Sequence, residues 1–582
     1  MMSQPDPGRR TLGVTFTAEQ TAHVVVWAPL AKSIAVAVNS DPQTIPLAKD
    51  EEGYWHTNTE QIKPGDLYKF VINNEIEYAD PAALMLPHGI FGSSQAFDTS
   101  SFYWEDEHWI NPPVDEYIIY ELDINGFTPE GTIKAIIKKL SYLKKLGVNA
   151  MLIRPVVPFP ESRERSGGFL YAVQASYGTP AHLQQLVNAC HFEGIAVILD
   201  LAYNGPSQRR NMVIDTGRSG RKQSAQQHRA ILDQETQREA DQRYLIENAL
   251  MWFRDFHVDA LRLEDFHAQA DWEELLQSIR SHTNALTNQT GRHYYLLIEH
   301  ETPGKIVSGC DDSERSVSVK SIDESNTLGY YDDCKNARHQ SRAFQENYIY
   351  DQQFSSVLKS FFDREDDMSQ GEPMISISQN CNRSNNYLFQ TYSDEYIDRE
   401  SLKLMAGYIM VSPCIPTVFM GEEWGMANPF REVMESALVG SGCSESTVAQ
   451  VEKTAAVAAL PWENLSQCAD KTLFSYYQAL TRLRRQQPAL YHLNRRQTET
   501  IHDEEQQTMI LHRWYKNNHV LCLMNFSPEK QTMKVPDLSK EWQKLLDSGD
   551  PVWQGLQASP DRLADADTIT LQPESIVIYK AV

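Results

Sequence analysis

From residue 115 onward the chain keeps one rhythm: a short apolar run, a polar loop, then a stretch in which apolar residues recur at helical spacing. Eight such runs can be read, at 117–124, 150–155, 196–204, 258–266, 294–299, 328–333, 374–380 and 416–422. The segments between them, including 133–146, 180–193 and about 238–256, repeat apolar residues with the period of an amphipathic helix. Parallel strands need long crossover connections, and helices are the usual solution. Eight strand–helix units is the number at which a parallel sheet closes on itself. The alternation therefore predicts an α/β chain built on a (β/α)8 TIM barrel over residues 115–490. The most apolar stretch, 404–420, is interrupted by Pro413 and Pro416 and is near the lower limit for crossing a bilayer, so it reads as a buried helix followed by a buried strand.

The two flanks follow a different pattern. Residues 12–108 are strand-like throughout, with turn punctuation at Gly53 and at Pro64-Gly65, and predict an N-terminal immunoglobulin-like β-sandwich. Its aromatics Trp27, Tyr54 and Trp55 have two uses: stacking on sugar rings or, more ordinarily, filling the sandwich core. Residues 495–582 return to strand-like runs at 508–514, 520–525 and 576–579, which predicts a C-terminal antiparallel β domain. A helix rich in Leu and Arg, 472–487, joins it to the barrel, and the Ser/Gly stretch 436–448 reads as an exposed loop.

At 582 residues the chain exceeds one hydrophobic core and implies about three domains. The net charge of −25 is spread along the chain, which argues against nucleic acid or an anionic membrane as partner and is compatible with a neutral ligand such as a sugar. The opening MMSQPDPGRR lacks an apolar signal region, and eight cysteines scattered from Cys190 to Cys522 read as reduced thiols. Both features lead to the expectation of a cytoplasmic protein. No dense carboxylate cluster of the calcium type is visible, so neither a metal nor a cofactor is expected.

Chemistry concentrates in the stretch from Phe253 to His267, where a helix runs into a strand-like segment that ends in charge. Arg262 and Glu264 are two residues apart and so share one face of a strand. A lone Arg–Glu pair is usually structural, but the neighbouring units repeat the design. Asp200 and Asn204 close the third run and Glu299 closes the fifth, all at the end where a barrel carries its active site. Retaining glycosidases need two carboxyl groups about 5–5.5 Å apart, one as nucleophile and one as acid then base. Glu264 and Glu299, on adjacent strands, are the candidates.

Further motifs carry a resemblance. These are Trp27-Ala-Pro29, the segments 77–83 and 89–95, Tyr120-Glu-Leu, 126–132, 173–178, 246–250 and Phe419-Met-Gly-Glu-Glu-Trp-Gly425. In this order they resemble the α-amylase clan of glycoside hydrolases, and within it the maltooligosyltrehalose trehalohydrolases. The resemblance implies a β-sandwich, a catalytic barrel and a C-terminal β domain, with release of trehalose from maltooligosyltrehalose or action on a related α-glucan. It also implies that Glu264 stands where the nucleophile belongs, that Glu299 is the general acid, and that Asn382 occupies the place of a third carboxylate. Asp200, Asn204, Arg262, His267, Asn380, Asp332 and Asp333 then fall to substrate binding.

This sequence departs from the family pattern at several of these places. Gly205 follows Asn204 where the clan has His, Glu264 replaces Asp, and Asn380-Cys381-Asn382 replaces Asn-His-Asp. Lys335-Asn336 replaces a His pair, and of a Tyr-bearing loop only 165–169 remains. A longer nucleophile side chain shifts its oxygen by roughly an ångström, and such a misplacement costs roughly 100-fold in rate. Two readings follow: a trehalohydrolase-like hydrolase, or a catalytically silent relative that binds glucan or a protein partner. A branching enzyme is a third and weaker reading, because the front-domain and 419–423 segments are more similar to the trehalohydrolases.

Overall fold

The structure, a computed structural model, describes residues 5–39, 41, 43–158, 169–203, 234–264, 270–299, 317–319, 374–377, 399–425, 459–462, 471–503, 505–536, 540–564 and 568–582. Eight strands close into a barrel in chain order: Ile119–Asp123, Ala150–Arg154, Ala196–Ala202, Ala260–Glu264, Tyr295–Glu299, Val317–Val319, Met374–Ile377 and Ile415–Phe419. The last lies parallel to the first, with Ile119 opposite Thr417 and Glu121 opposite Phe419. The sixth strand is Val317–Val319, upstream of the run 328–333 that the sequence put forward, which lies outside the described residues. Alternating Ser and Val over three residues leaves too weak an apolar signal to compete with a longer run. Contacts divide the chain into one unit of residues 1–111, 130–140 and 153–296 and another of 112–129, 141–152 and 297–582.

The first unit begins with the front β module. One sheet orders Gly13–Phe16, Ala22–Trp27, Tyr54–Thr59 and Ala48–Lys49, and the other orders Thr44–Pro46, Ile34–Val38, Leu67–Ile72 and Ile76–Tyr78. Tyr68, Phe70 and Ile72 alternate inward along their strand and join Val24, Val26, Val36 and Trp55 in one core. Trp55 fills the sandwich core, whereas Trp27 and Tyr54 are buried outside it, with the Arg243 guanidinium 4.2 Å from the Tyr54 ring. The indole N–H of Trp55 donates to the Ala28 carbonyl at 3.0 Å, and that of Trp27 to the Glu52 carbonyl at 3.1 Å. Gly53 adopts φ +88°, and a Cβ there would lie 2.7 Å from the Pro29 Cβ, so this turn excludes any larger residue.

In the same unit, helix Pro180–Glu193 has its limits written in its sequence. Thr179 caps it reciprocally with His182, Pro180 takes the first turn, and Gly194 ends it at φ +77°. The chain then enters the third barrel strand. Helix Gln234–Phe256 leads likewise into the fourth strand. The expected helix 133–146 is instead two, Ile133–Ile137 and Leu140–Leu146. Apolar spacing persists across the break, so periodicity alone does not reveal it.

In the second unit, helix Arg399–Val411 and strand Ile415–Phe419 account for the apolar stretch, and every residue of that strand is buried. The helix ends on cations. Arg484 donates to the carbonyls of Met410, Ser412 and Cys414, and Arg513 to those of Val411, Ser412 and Leu490. Two guanidiniums thereby complete the C-terminal carbonyls that no helical N–H can reach. Burial lowers them to about 9 and about 10, with repulsion from Arg513 adding to the effect on Arg484. Arg484 lies on helix Lys471–Gln486 and Arg513 on the second strand of the C-terminal sheet. That sheet orders Thr498–Asp503, Thr508–Tyr515, Asn518–Asn525, Ser575–Ala581, Glu541–Asp547 and Arg562–Ala564, and its neighbours are antiparallel. Its core includes Leu521, Leu523, Trp542 and Val577.

Glu423, just past the eighth strand, is fully buried and accepts hydrogen bonds from the hydroxyls of Tyr120 at 2.9 Å and Tyr142 at 2.6 Å and from the Gly421 amide at 3.1 Å. Burial raises its carboxyl to about 7 against those donors. The folded state therefore keeps a proton that the unfolded state releases near 4.5. Stability from this group is complete below that pH and is lost as pH rises through about 7. The urea midpoint of the wild type should fall between these pH values relative to Glu423→Gln, whose amide does not ionise; parallel profiles would contradict the assignment. Trp55→Ala should lose about 3–5 kcal/mol of unfolding free energy. Retained stability with weakened sugar binding would return Trp55 to a surface role.

Candidate active site

Period-two alternation places Asp200 and Arg262 on the same side of neighbouring strands, where they are register partners. The Arg262 Nε donates to Oδ1 of Asp200 at 2.8 Å and its Nη2 to Oδ2 at 2.6 Å. This is a bidentate fork, a geometry that a planar guanidinium fits and a lysine does not. Both residues are buried. Arg154, the last residue of the second strand, adds a second cation with Nη1 3.4 Å from Asp200 Oδ2. A carboxylate removed from water is costly unless paired, and here two guanidiniums face it.

Arg154 is not among the residues that motif matching brings forward. Its signal is positional: a cation closing a barrel strand, at the end where barrel chemistry gathers.

The backbone then carries the predicted carboxylates. The fourth strand continues in register to Glu264, opposite Ala202 at the end of the third. Glu299 closes the fifth strand, opposite Val319 of the sixth. The fourth and fifth strands are neighbours in the barrel order, so both acidic positions fall at C-terminal strand ends of adjacent strands. The predicted residues Asn204, His267, Asp332, Asp333, Asn380 and Asn382 lie outside the described residues, as does the loop 436–448.

Several motif residues have structural work instead. Glu247, from the segment 246–250, accepts the Thr11 amide at 2.6 Å and lies 3.7 Å from Arg254. Burial raises its carboxyl to about 6 despite that cation. Its neighbour Asn248 accepts from the Tyr203 hydroxyl at 2.8 Å and donates to the Leu170 carbonyl at 3.0 Å. Tyr203 directly follows the third strand. Asp80, from the segment 77–83, accepts the Tyr68 hydroxyl at 2.6 Å inside the front module. Among the described residues no group of three or more His, Cys, Asp or Glu is arranged to hold a metal, and no helix is long and apolar enough to cross a membrane. Cys190, Cys414 and Cys522 are buried.

Residues 11–84 match carbohydrate-binding module 48, the isoamylase N-terminal domain, and residues 91–272 match the catalytic domain of alpha amylase. Over 498 residues the chain is 27% identical to the malto-oligosyltrehalose trehalohydrolase of Saccharolobus solfataricus, covering 81% of this chain and 85% of that protein. It is 28% identical over 506 residues to the protein of the same name from Arthrobacter ramosus, covering 80% and 87%. A 1,4-alpha-glucan branching enzyme of Oceanobacillus iheyensis is 23% identical over 540 residues, covering 82% of this chain and 77% of that one. In fold, the structure is similar to a GBS pullulanase solved with maltotetraose, with a TM-score of 0.70 at 17% identity over 98% of this chain and 88% of that one. A type I pullulanase of Bacillus subtilis solved with maltose gives 0.66 at 16% identity, covering 98% and 85%. The closed parallel barrel includes strands within the stretch similar to the alpha-amylase catalytic domain, and the two-sheet β module coincides with the stretch similar to carbohydrate-binding module 48.

Proposed function

We propose that this protein is a glycoside hydrolase of the trehalohydrolase type, cleaving an α-1,4-glucosidic bond in maltooligosyltrehalose or a related α-glucan. The observation that carries the reading is the Asp200–Arg262 clamp, whose strand continues in register to Glu264. By strand alternation Glu264 falls on the same face of its strand as Arg262. The trehalohydrolase name of relatives matched over four-fifths of the chain supports the substrate class.

In the proposed reaction the Glu264 carboxylate attacks the anomeric carbon while Glu299 protonates the departing glycosidic oxygen. The resulting glycosyl ester on Glu264 is then opened by water, with Glu299 taking the proton it earlier supplied. The anomeric configuration is retained over the two displacements. Asp200, held by Arg262 and Arg154, is assigned to orient the sugar together with Asn204, His267, Asn380, Asp332 and Asp333. Asn382, in the place of the third carboxylate, keeps a hydrogen bond to the sugar hydroxyls but not its charge. Part of the several kcal/mol that such bonds add in the transition state is therefore absent.

Trehalose and glucose release from maltotriosyltrehalose and from maltooligosaccharides tests the reading. Glu299→Gln should abolish release; activity that persists means the acid is wrongly assigned. Glu264→Asp should raise the rate if nucleophile reach is the limiting defect, and an unchanged rate rejects that cause. No release by the wild type above Glu299→Gln would favour the silent, glucan-binding relative. Arg262→Lys should leave the protein folded while lowering turnover roughly 100-fold through loss of the fork; unchanged turnover with a folded variant rejects the clamp's role.

A further inference from the structure

The other end of the barrel carries a second buried charge cluster, which the proposed reaction does not use. Residues 99–111 link the front module to the barrel and lie along helix Pro180–Glu193. The Gln184 amide donates to the Thr99 carbonyl at 3.0 Å, and the Glu105 amide donates to Asn188 Oδ1 at 2.9 Å. Further on, the Asn111 amide donates to the His293 carbonyl at 2.9 Å. At the centre is His191. Its Nδ1 is 2.8 Å from Asp106 Oδ2 and its Nε2 is 2.9 Å from Asp259 Oδ2. The ring stacks on Trp109, with centroids 4.5 Å apart and planes at 8°.

A neutral imidazole has one N–H and one lone pair. With a carboxylate oxygen at each nitrogen, only the doubly protonated ring satisfies both contacts. The carboxylates have no room for that proton. Asp106 also accepts from Arg292 at 2.8 and 2.9 Å and meets His257 Nδ1 at 2.9 Å. Asp259 also accepts from the Trp109 indole at 2.7 Å and from the Val197 amide at 2.7 Å. Asp106 and Asp259 thus balance Arg292 and a charged His191, with His257 neutral. On its own helix the ring has Cys190 and Glu193 as titratable neighbours. Asp259 precedes the fourth strand and holds the start of the third through Val197, so the cluster sits at the N-terminal ends of the strands that carry Asp200 and Arg262.

We propose that residues 99–111 form a strap clasped to this end of the barrel by a protonated His191, and that loss of that proton opens the clasp. Burial opposes the charge, but Asp259 and Asp106 outweigh it and raise the group above its ordinary 6.5. The contribution is complete below that value and is lost as pH rises through the raised one.

Hydrogen exchange of the full chain, followed by mass spectrometry from pH 6 to about 9.5 and corrected for intrinsic rates, tests this. Protection of peptides within 99–111 should hold at low pH and then fall roughly tenfold per pH unit, while helix Gln234–Phe256 stays protected. Asp106→Asn removes one of the two negative charges that hold the proton on His191, so the fall in strap protection should move to lower pH. His191→Gln should expose the strap already at pH 6; if that variant does not fold, the wild type and Asp106→Asn decide. Flat wild-type protection, an unchanged fall in Asp106→Asn, or loss of protection in the strap and helix together would overturn the clasp.

Discussion

The bond between Arg262 and Asp200 holds two neighbouring strands of the barrel in register. A carboxylate buried between strands costs several kcal/mol unless cations or donors surround it. Only one relative position of the third and fourth strands brings the two side chains to 2.6 and 2.8 Å. A slip of one residue would send both to the opposite face. The same register carries the fourth strand on to Glu264. Arg154 contributes from the second strand, so three consecutive strands converge on one carboxylate.

The rule that a buried charge must be met recurs elsewhere, with different partners each time. Glu247 is met by a backbone amide and a distant guanidinium, and Glu423 by two phenols and an amide. Arg484 and Arg513 face carbonyls instead of carboxylates, tying the end of helix Arg399–Val411 to the C-terminal sheet. Asp106 and Asp259 enclose His191. Where the partners are neutral, as around Glu423, burial shifts the group toward its uncharged form; where they are charged, as around Asp106, the ionised form is held despite burial. Several of the motifs that mark the family, including 77–83, 246–250 and 419–425, are in this sense motifs of scaffold chemistry.

That division of labour separates the positions where the sequence departs from the pattern it resembles from those that satisfy buried scaffold groups. The residues at which the sequence departs from the family pattern, Glu264 and 380–382 among them, are separate from Glu247, Asp80 and Glu423, which satisfy the buried polar groups of the scaffold.

The sequence by itself determined the class of fold, because the period of apolar residues decides between helix and strand and eight alternations leave few ways to close a parallel sheet. It also determined the limits of helix Pro180–Glu193, since Thr179, Pro180 and Gly194 act on local backbone groups. The aromatics of the front module, Trp27, Tyr54 and Trp55, were legible only as a choice between core and platform; packing put Trp55 in the core and buried the other two outside it. The short sixth strand was not legible, because Val317–Val319 is defined by its pairing with Met374 and Ile375 and not by its own apolarity. Arg154 and the His191 cluster were also beyond it. Arg154 lies 46 positions from Asp200 (200 − 154) and Asp106 lies 85 from His191, and neither spacing carries a pattern. Only the tertiary structure decided those contacts, because electrostatic pairing depends on distance through space, whereas a sequence records distance along the chain.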